Sequence, residues 1–247
     1  MTCNYIINEK KGTVTCLLNV TNKLDKDTRR YRIYTGDMPE VVKATAYIRG
    51  EDKFDPEIGK RVALAKAEKE YLNNLLNTPE DGLVDSMNFY GKWLDEIDVL
   101  IHRIKKKREN IKTALQNLSE DELNISGIKV IHSEDTGVTI AIGAPCDFLG
   151  KNLPDELYEN LNYELLTQCS YKEMVGIAKL NKDVDTYNKN IGTYVAVNKL
   201  YLQAYGAILG ALKVRKREVA NYAFKAQLDI MKVKARREAV LENLKTF

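Results

Sequence analysis

The residues able to do chemistry in this 247-residue chain are few and scattered. His102 and His132 are its two histidines. They lie far apart, and neither stands in a metal-binding pair, at a nucleophile elbow or in a histidine–cysteine signature. Cys3, Cys16, Cys146 and Cys169 show neither the paired spacing of a zinc site nor the density of a secreted disulfide scaffold. They read as reduced, buried thiols, with Cys3 and Cys16 placed where a hairpin would bring them face to face. The carboxylates Glu134, Asp135 and Asp147 would act together only if the fold converged them. Gly206-x-x-x-Gly210 lies inside a helical pattern, where small residues serve close helix packing rather than phosphate binding. With no catalytic constellation on view, the chain reads as non-enzymatic, with no cofactor and no metal site expected.

Cationic side chains carry the stronger signal. One cluster holds Arg103, Lys105, Lys106, Lys107 and Arg108, a second Lys213, Arg215, Lys216 and Arg217, and a third runs from Lys232 to Arg237. If they converged in space, each would offer two or three cations to a phosphate backbone or an acidic partner. The alternative is a solvated helix face balanced by Glu96, Asp98, Glu109, Glu218, Asp229, Glu238 and Glu242. At a net charge of +3 this second account is preferred. Tyrosines number fourteen against five phenylalanines. At helical spacing Tyr194, Tyr201, Tyr205 and Tyr222 are read as packing residues rather than base-stacking platforms.

The elements that must position these groups divide into an α+β beginning and a helical remainder. Asn4–Asn8, Thr13–Val20, Arg30–Tyr34 and Val41–Ile48 are separated by polar turns, and predict a four-stranded antiparallel meander. Asp55 caps the following helix, Pro56 suits its first position and Glu57 its positive dipole end. Phe54 is placed as a staple, and Ile58, Val62, Ala65, Leu72 and Leu76 form the face that covers the sheet.

Thr78 and Pro79 are expected to start a second helix, whose stripe from Leu83 through Ile97, Ile101 and Ile104 to Leu115 suits helix pairing. Ile128–His132 and Val138–Ile142 predict a hairpin that joins the first sheet or packs on a helix. Beyond Pro154 no proline occurs, so helix is expected for Asp155–Cys169, for a segment capped by Ser170 running through Met174 and Ile177, and for a long final stretch. In that last helix Tyr205, Ile208, Leu212, Val219, Tyr222, Ile230 and Val233 lie on a three-four repeat. Its antiparallel partner is the Leu83–Leu115 helix, and the length mismatch leaves seam for a second copy, so a homo-oligomer is expected. The expected class is α+β: a small antiparallel sheet with a covering helix at 1–77, then a bundle of coiled-coil-like helices at 78–247 with a hairpin inserted near 128–142.

Around the capped helix the pattern is specific. An alanine-rich strand leads through Glu51-Asp52-x-Phe54-Asp55 to Gly59, then to Ala63 and Ala67 at spacing four. Over about residues 40–76 this resembles a small domain common in phage and prophage proteins of low-GC Gram-positive bacteria, a family without a defined activity. The resemblance implies a phage-type origin and a strand-strand-strand-helix fold. Capping and turn chemistry account for Glu51, Asp52 and Asp55 better than a catalytic cluster does.

No apolar run approaches the length of a membrane span and no signal-peptide pattern opens the sequence, so no membrane partner and a cytoplasmic location are expected. Together these readings predict a non-catalytic interaction protein of phage or prophage type. It would bind a host or phage protein and act as an inhibitor of a host protein or defence complex. A nucleic-acid-binding accessory protein of phage replication or recombination is the alternative.

Overall fold

Asp55 starts the best-specified element: its side chain accepts hydrogen bonds from the Glu57 and Ile58 amides at 2.8 and 3.2 Å, with Pro56 next in line. Two of the amides that a helix leaves unpaired at its start are thereby satisfied. The computed structural model describes residues 1–23, 27, 38–47, 53–78, 82–117, 123–149, 163–180 and 186–247. Within them the chain is α+β, with two small antiparallel sheets and long helices.

The chain divides into two units. The first comprises Met1–Lys92 and Ala220–Phe247, the second Trp93–Val219. The boundary therefore falls beyond the expected 1–77, and the end of the last helix returns to the first unit. The reason is visible in the core, where Ile230 and Val233 are buried with residues of the first sheet and its helix.

In the first unit β1 (Thr2–Asn8), β2 (Thr13–Asn19) and β3 (Val41–Tyr47) pair in that order, all antiparallel. The expected strand Arg30–Tyr34 lies outside the described residues. Val14, Cys16 and Leu18 alternate onto the face covered by α1 (Pro56–Asn77). That helix buries Ala63, Ala67, Tyr71, Leu72, Leu75 and Leu76, so its covering face is rotated from the predicted one and Ile58 is exposed. Small residues explain the rotation: a Cβ on Gly59 would come within 2.5 Å of Val14 Cγ2, so Gly59, Ala63 and Ala67 let helix and sheet approach closely. Large side chains supply the burial further along, each fully covered leucine contributing roughly 1.5–3 kcal/mol. Phe54 packs against this core as a staple residue should.

Thr78 closes α1 rather than opening the next helix. Its hydroxyl donates to the Asn74 carbonyl at 2.7 Å. The second helix, α2, then runs Leu83–Asn117.

Cys3 and Cys16 are not direct cross-strand partners. Cys3 faces Leu18 and Cys16 faces Tyr5, which makes the two thiols diagonal neighbours, and all four cysteines are free.

In the second unit the predicted hairpin forms as β4 (Lys129–Ser133) and β5 (Val138–Gly143), turned at Gly137 with φ +67°. It does not join the first sheet. Its third strand is β6 (Met174–Lys179), a segment expected to be helical, giving the order β4-β5-β6. Burial alternates strictly along β6, and the absence of proline did not imply helix there. Two one-turn helices, α3 (Pro145–Phe148) and α4 (Tyr163–Leu166), lie between β5 and β6 in sequence, and a π-type turn at Thr167–Tyr171 follows them. Of the predicted Asp155–Cys169 helix, residues 155–162 lie outside the described residues.

The last helix, α5 (Lys189–Lys245), packs on the inner face of this sheet. A Cβ on Gly192 would reach within 2.5 Å of Thr139 Oγ1. Within the second unit α5 runs antiparallel to α2, as expected: Lys107 lies over the Tyr205 ring at 5.7 Å while Lys216 pairs with Asp98.

Candidate functional site

Strand alternation sends one set of side chains from each of β4, β5 and β6 to the helix and the other set outward. The inward set is mostly small or polar, with His132, Thr139, Ala141, Gly143, Gly176 and Ala178 beside Val130 and Met174. The outward set is aliphatic. Ile131, Ile140 and Ile177 align in one cross-strand row, and Ile142 with Val175 in the next. Lys129 ends the second row, while Ser133, Val138 and Lys179 form the third. Ile131, Val175 and Ile177 remain 42%, 44% and 40% exposed, and Val138, Ile140 and Ile142 are half-buried. A contiguous face of β-branched side chains open to water, with lysines at two opposite corners, has the composition of a contact surface.

The β6 edge of this sheet is closed to strand addition. Gln203 on α5 accepts from the Val175 amide at 3.1 Å, and Lys199 donates to the Ile177 carbonyl at 3.0 Å. These side chains occupy groups that an added strand would need. In the first unit Lys66 does the same to the Thr45 carbonyl of β3 at 3.2 Å.

The basic clusters divide between structure and solvent. Arg215 lies over the Trp93 ring at 4.4 Å and pairs with Glu218 at 2.8 Å, Lys216 pairs with Asp98 at 2.5 Å, and Lys107 covers Tyr205. Arg108 places its guanidinium 3.8 Å from the Cβ position of Gly206, while Gly210 faces open space. The Gly206-x-x-x-Gly210 spacing therefore makes no close helix contact: an arginine fills the gap at one glycine and nothing approaches the other. Arg103, Lys105, Lys106, Lys213 and Arg217 are exposed, with no ion pair among the described residues. Antiparallel pairing of α2 with α5 sets the first two clusters at neighbouring levels in the second unit, with Asp98 at the level of the second, paired to Lys216.

The expected oligomer seam is spent inside the chain. Tyr205, Ile208, Leu212, Val219, Ile230 and Val233 are buried by the protein itself, and Tyr222 is half-buried beside Tyr90, ring centroids 5.9 Å apart. These residues form core, so they offer no free stripe to a second copy. The tyrosines pack as expected: Tyr201 meets Phe148 edge-on at 5.1 Å and donates to the Asn124 carbonyl at 3.1 Å. Burial raises the Tyr201 hydroxyl pKa and pushes that of Tyr205 up to about 12.

His132, unremarkable in sequence, stands at the centre of a hydroxyl cluster. Its Nδ1 lies 3.2 Å from Thr139 Oγ1 and 3.3 Å from the Tyr187 hydroxyl, and its Nε2 lies 3.4 Å from Thr193 Oγ1. Glu134, Asp135 and Asp147 are exposed, and no metal-competent group of three or more His, Cys, Asp or Glu occurs among the described residues. No helix among them is long and apolar enough to cross a membrane. Compared with known proteins, the chain matches no family model, no curated protein and no solved structure.

Proposed function

We propose that this is a non-catalytic interaction protein of phage or prophage type, which binds a host protein through the outer face of the β4-β5-β6 sheet and inhibits it. The observation that carries this reading is the exposed aliphatic grid of Ile131, Ile140, Ile142, Val175 and Ile177. The partner it fits has an apolar surface rimmed by carboxylates, which would complement Lys129 and Lys179 at the corners. Docking uses the face of the sheet rather than its β6 edge, which Lys199 and Gln203 cap.

A photo-crosslinking residue at Ile177 is expected to trap one host protein, while the same residue at Tyr47, exposed in the first unit, traps none. Crosslinking from Tyr47 alone, or to further copies of this chain, refutes the assignment.

The five exposed cations Arg103, Lys105, Lys106, Lys213 and Arg217 favour a second reading, a nucleic-acid-binding accessory role. It requires DNA or RNA binding that weakens steeply with salt and is lost when Lys105 and Lys106 become Glu.

A further inference from the structure

A cleft of about 420 Å³ opens at the turn end of the second sheet, lined by Gly137, Thr139, Ala178, Leu180, Tyr187 and Ile191 among others. Its wall carries a hydrogen-bond imbalance. Thr193 Oγ1 donates its proton to the Lys189 carbonyl at 2.9 Å, so toward His132 Nε2, at 3.4 Å, it can only accept. Nε2 therefore bears the hydrogen, and Nδ1 of neutral His132 presents a single lone pair. Two hydroxyls compete for that lone pair, Thr139 at 3.2 Å and Tyr187 at 3.3 Å. Among the described residues no hydrogen bond joins Thr139 to Tyr187, and neither hydroxyl has another partner. One hydroxyl proton is left over, on a wall where Thr139 is only 1% exposed. With the lone pair held by the more buried Thr139, the half-buried Tyr187 hydroxyl turns its proton into the cleft, where an occupant's oxygen can accept it in place of water.

We infer that this cleft binds a small uncharged molecule with an apolar body and a carbonyl-type oxygen, the oxygen taking the surplus hydroxyl proton. Ala178, Leu180, Ile191 and Val195 provide the apolar lining. Lys179 also borders the cleft, but alternation along β6 directs its side chain to the face opposite Ala178, so the hydroxyls rather than a cation face the occupant. Asn188 Oδ1 accepts from the Asn190 and Ile191 amides at 2.9 and 3.2 Å, so these helix-start amides are not left free for the occupant.

The test uses the full chain and two probes of one shape, acetophenone with the oxygen and ethylbenzene without it. His132 and His102 are the only histidines, so the imidazole resonances report the cleft and provide an internal control. Acetophenone is expected to shift His132 saturably and leave His102 unmoved, binding roughly 3–10-fold tighter than ethylbenzene, as one net hydrogen bond implies. Thr139→Val and Tyr187→Phe should each abolish that preference, because either leaves one donor for one lone pair; unchanged melting temperatures confirm the fold. No saturable His132 shift up to about 10 mM, a range that reaches even millimolar fragments, overturns the assignment. So does equal affinity for the two probes, or a preference that survives both substitutions.

Discussion

Gly176 on β6 and Ala196 on α5 approach so closely that a Cβ at position 176 would overlap the Ala196 carbonyl oxygen and come within 2.5 Å of the Leu200 amide nitrogen. The second sheet rests on its helix through this contact, which turns the aliphatic face outward. The atoms in the way are backbone, so no rotamer change relieves the clash.

Gly176→Ala is accordingly expected to destabilise the protein by about 1–3 kcal/mol, toward the upper end for a backbone clash. Gly210→Ala on α5, where nothing lies within 4 Å, should stabilise by about 0.5–1 kcal/mol through helix propensity. Urea unfolding of the two variants beside the parent chain checks the contrast.

Asp27 is 1% exposed and accepts a hydrogen bond from the Tyr71 hydroxyl at 2.8 Å, with Lys23 at 3.4 Å and Arg236 at 3.7 Å. These contacts tie the end of α5 to the first unit. Asp27→Ala should cost about 2–3 kcal/mol, below the value for a wholly buried ion pair because both cations reach water once released. Tyr71→Phe should cost about 1 kcal/mol. A loss under 0.5 kcal/mol for Asp27→Ala, read from denaturant midpoints, would show that the cluster does not hold the unit together.

Burial, with Cys3 beside it, pushes the Cys16 thiol up to about 11, and burial with the two thiols pushes Tyr5 up to about 12. Both groups keep their protons in the folded chain after the unfolded chain has lost them. Their contribution to stability is therefore whole below the unfolded values and declines as pH rises, from about 9 to 11 for Cys16 and about 10 to 12 for Tyr5. Cys146 and Cys169, also raised by burial, add to the slope. Urea midpoints measured across this range should fall with pH, and Cys16→Ala should flatten the part between 9 and 11.

Local signals were readable where one short segment contains its own explanation. Asp55, Pro56 and Glu57 mark a helix start without reference to the rest of the chain, whereas the face that Gly59, Ala63 and Ala67 bring against the sheet was expected on Ile58, Val62 and Ala65 instead. The hairpin around Gly137 is readable for the same reason, although its partners are not. β6 was missed because a glycine and an alanine weaken its alternating pattern, and its pairing residues lie across α3 and α4 in sequence. The α5 seam was correctly seen as apolar. What periodicity could not reveal is that it is covered by two units of the same chain, since that depends on where the chain returns. The outward grid combines three strands, so it became visible only with the third. The His132 cluster joins residues from β4, β5, the approach to α5 and its first turn, which no spacing rule connects.

The most direct test of the account is affinity for the host protein trapped through Ile177, once identified and purified. Ile131→Ser with Ile177→Ser, both at partly exposed positions, should leave the melting temperature nearly unchanged and weaken binding by roughly 30-fold or more, as loss of a central apolar contact does. Charge reversal of Arg103, Lys105 and Lys106 should alter it less than about threefold. Binding unaffected by the isoleucine substitutions, or abolished by the charge reversals, would contradict docking through the sheet face.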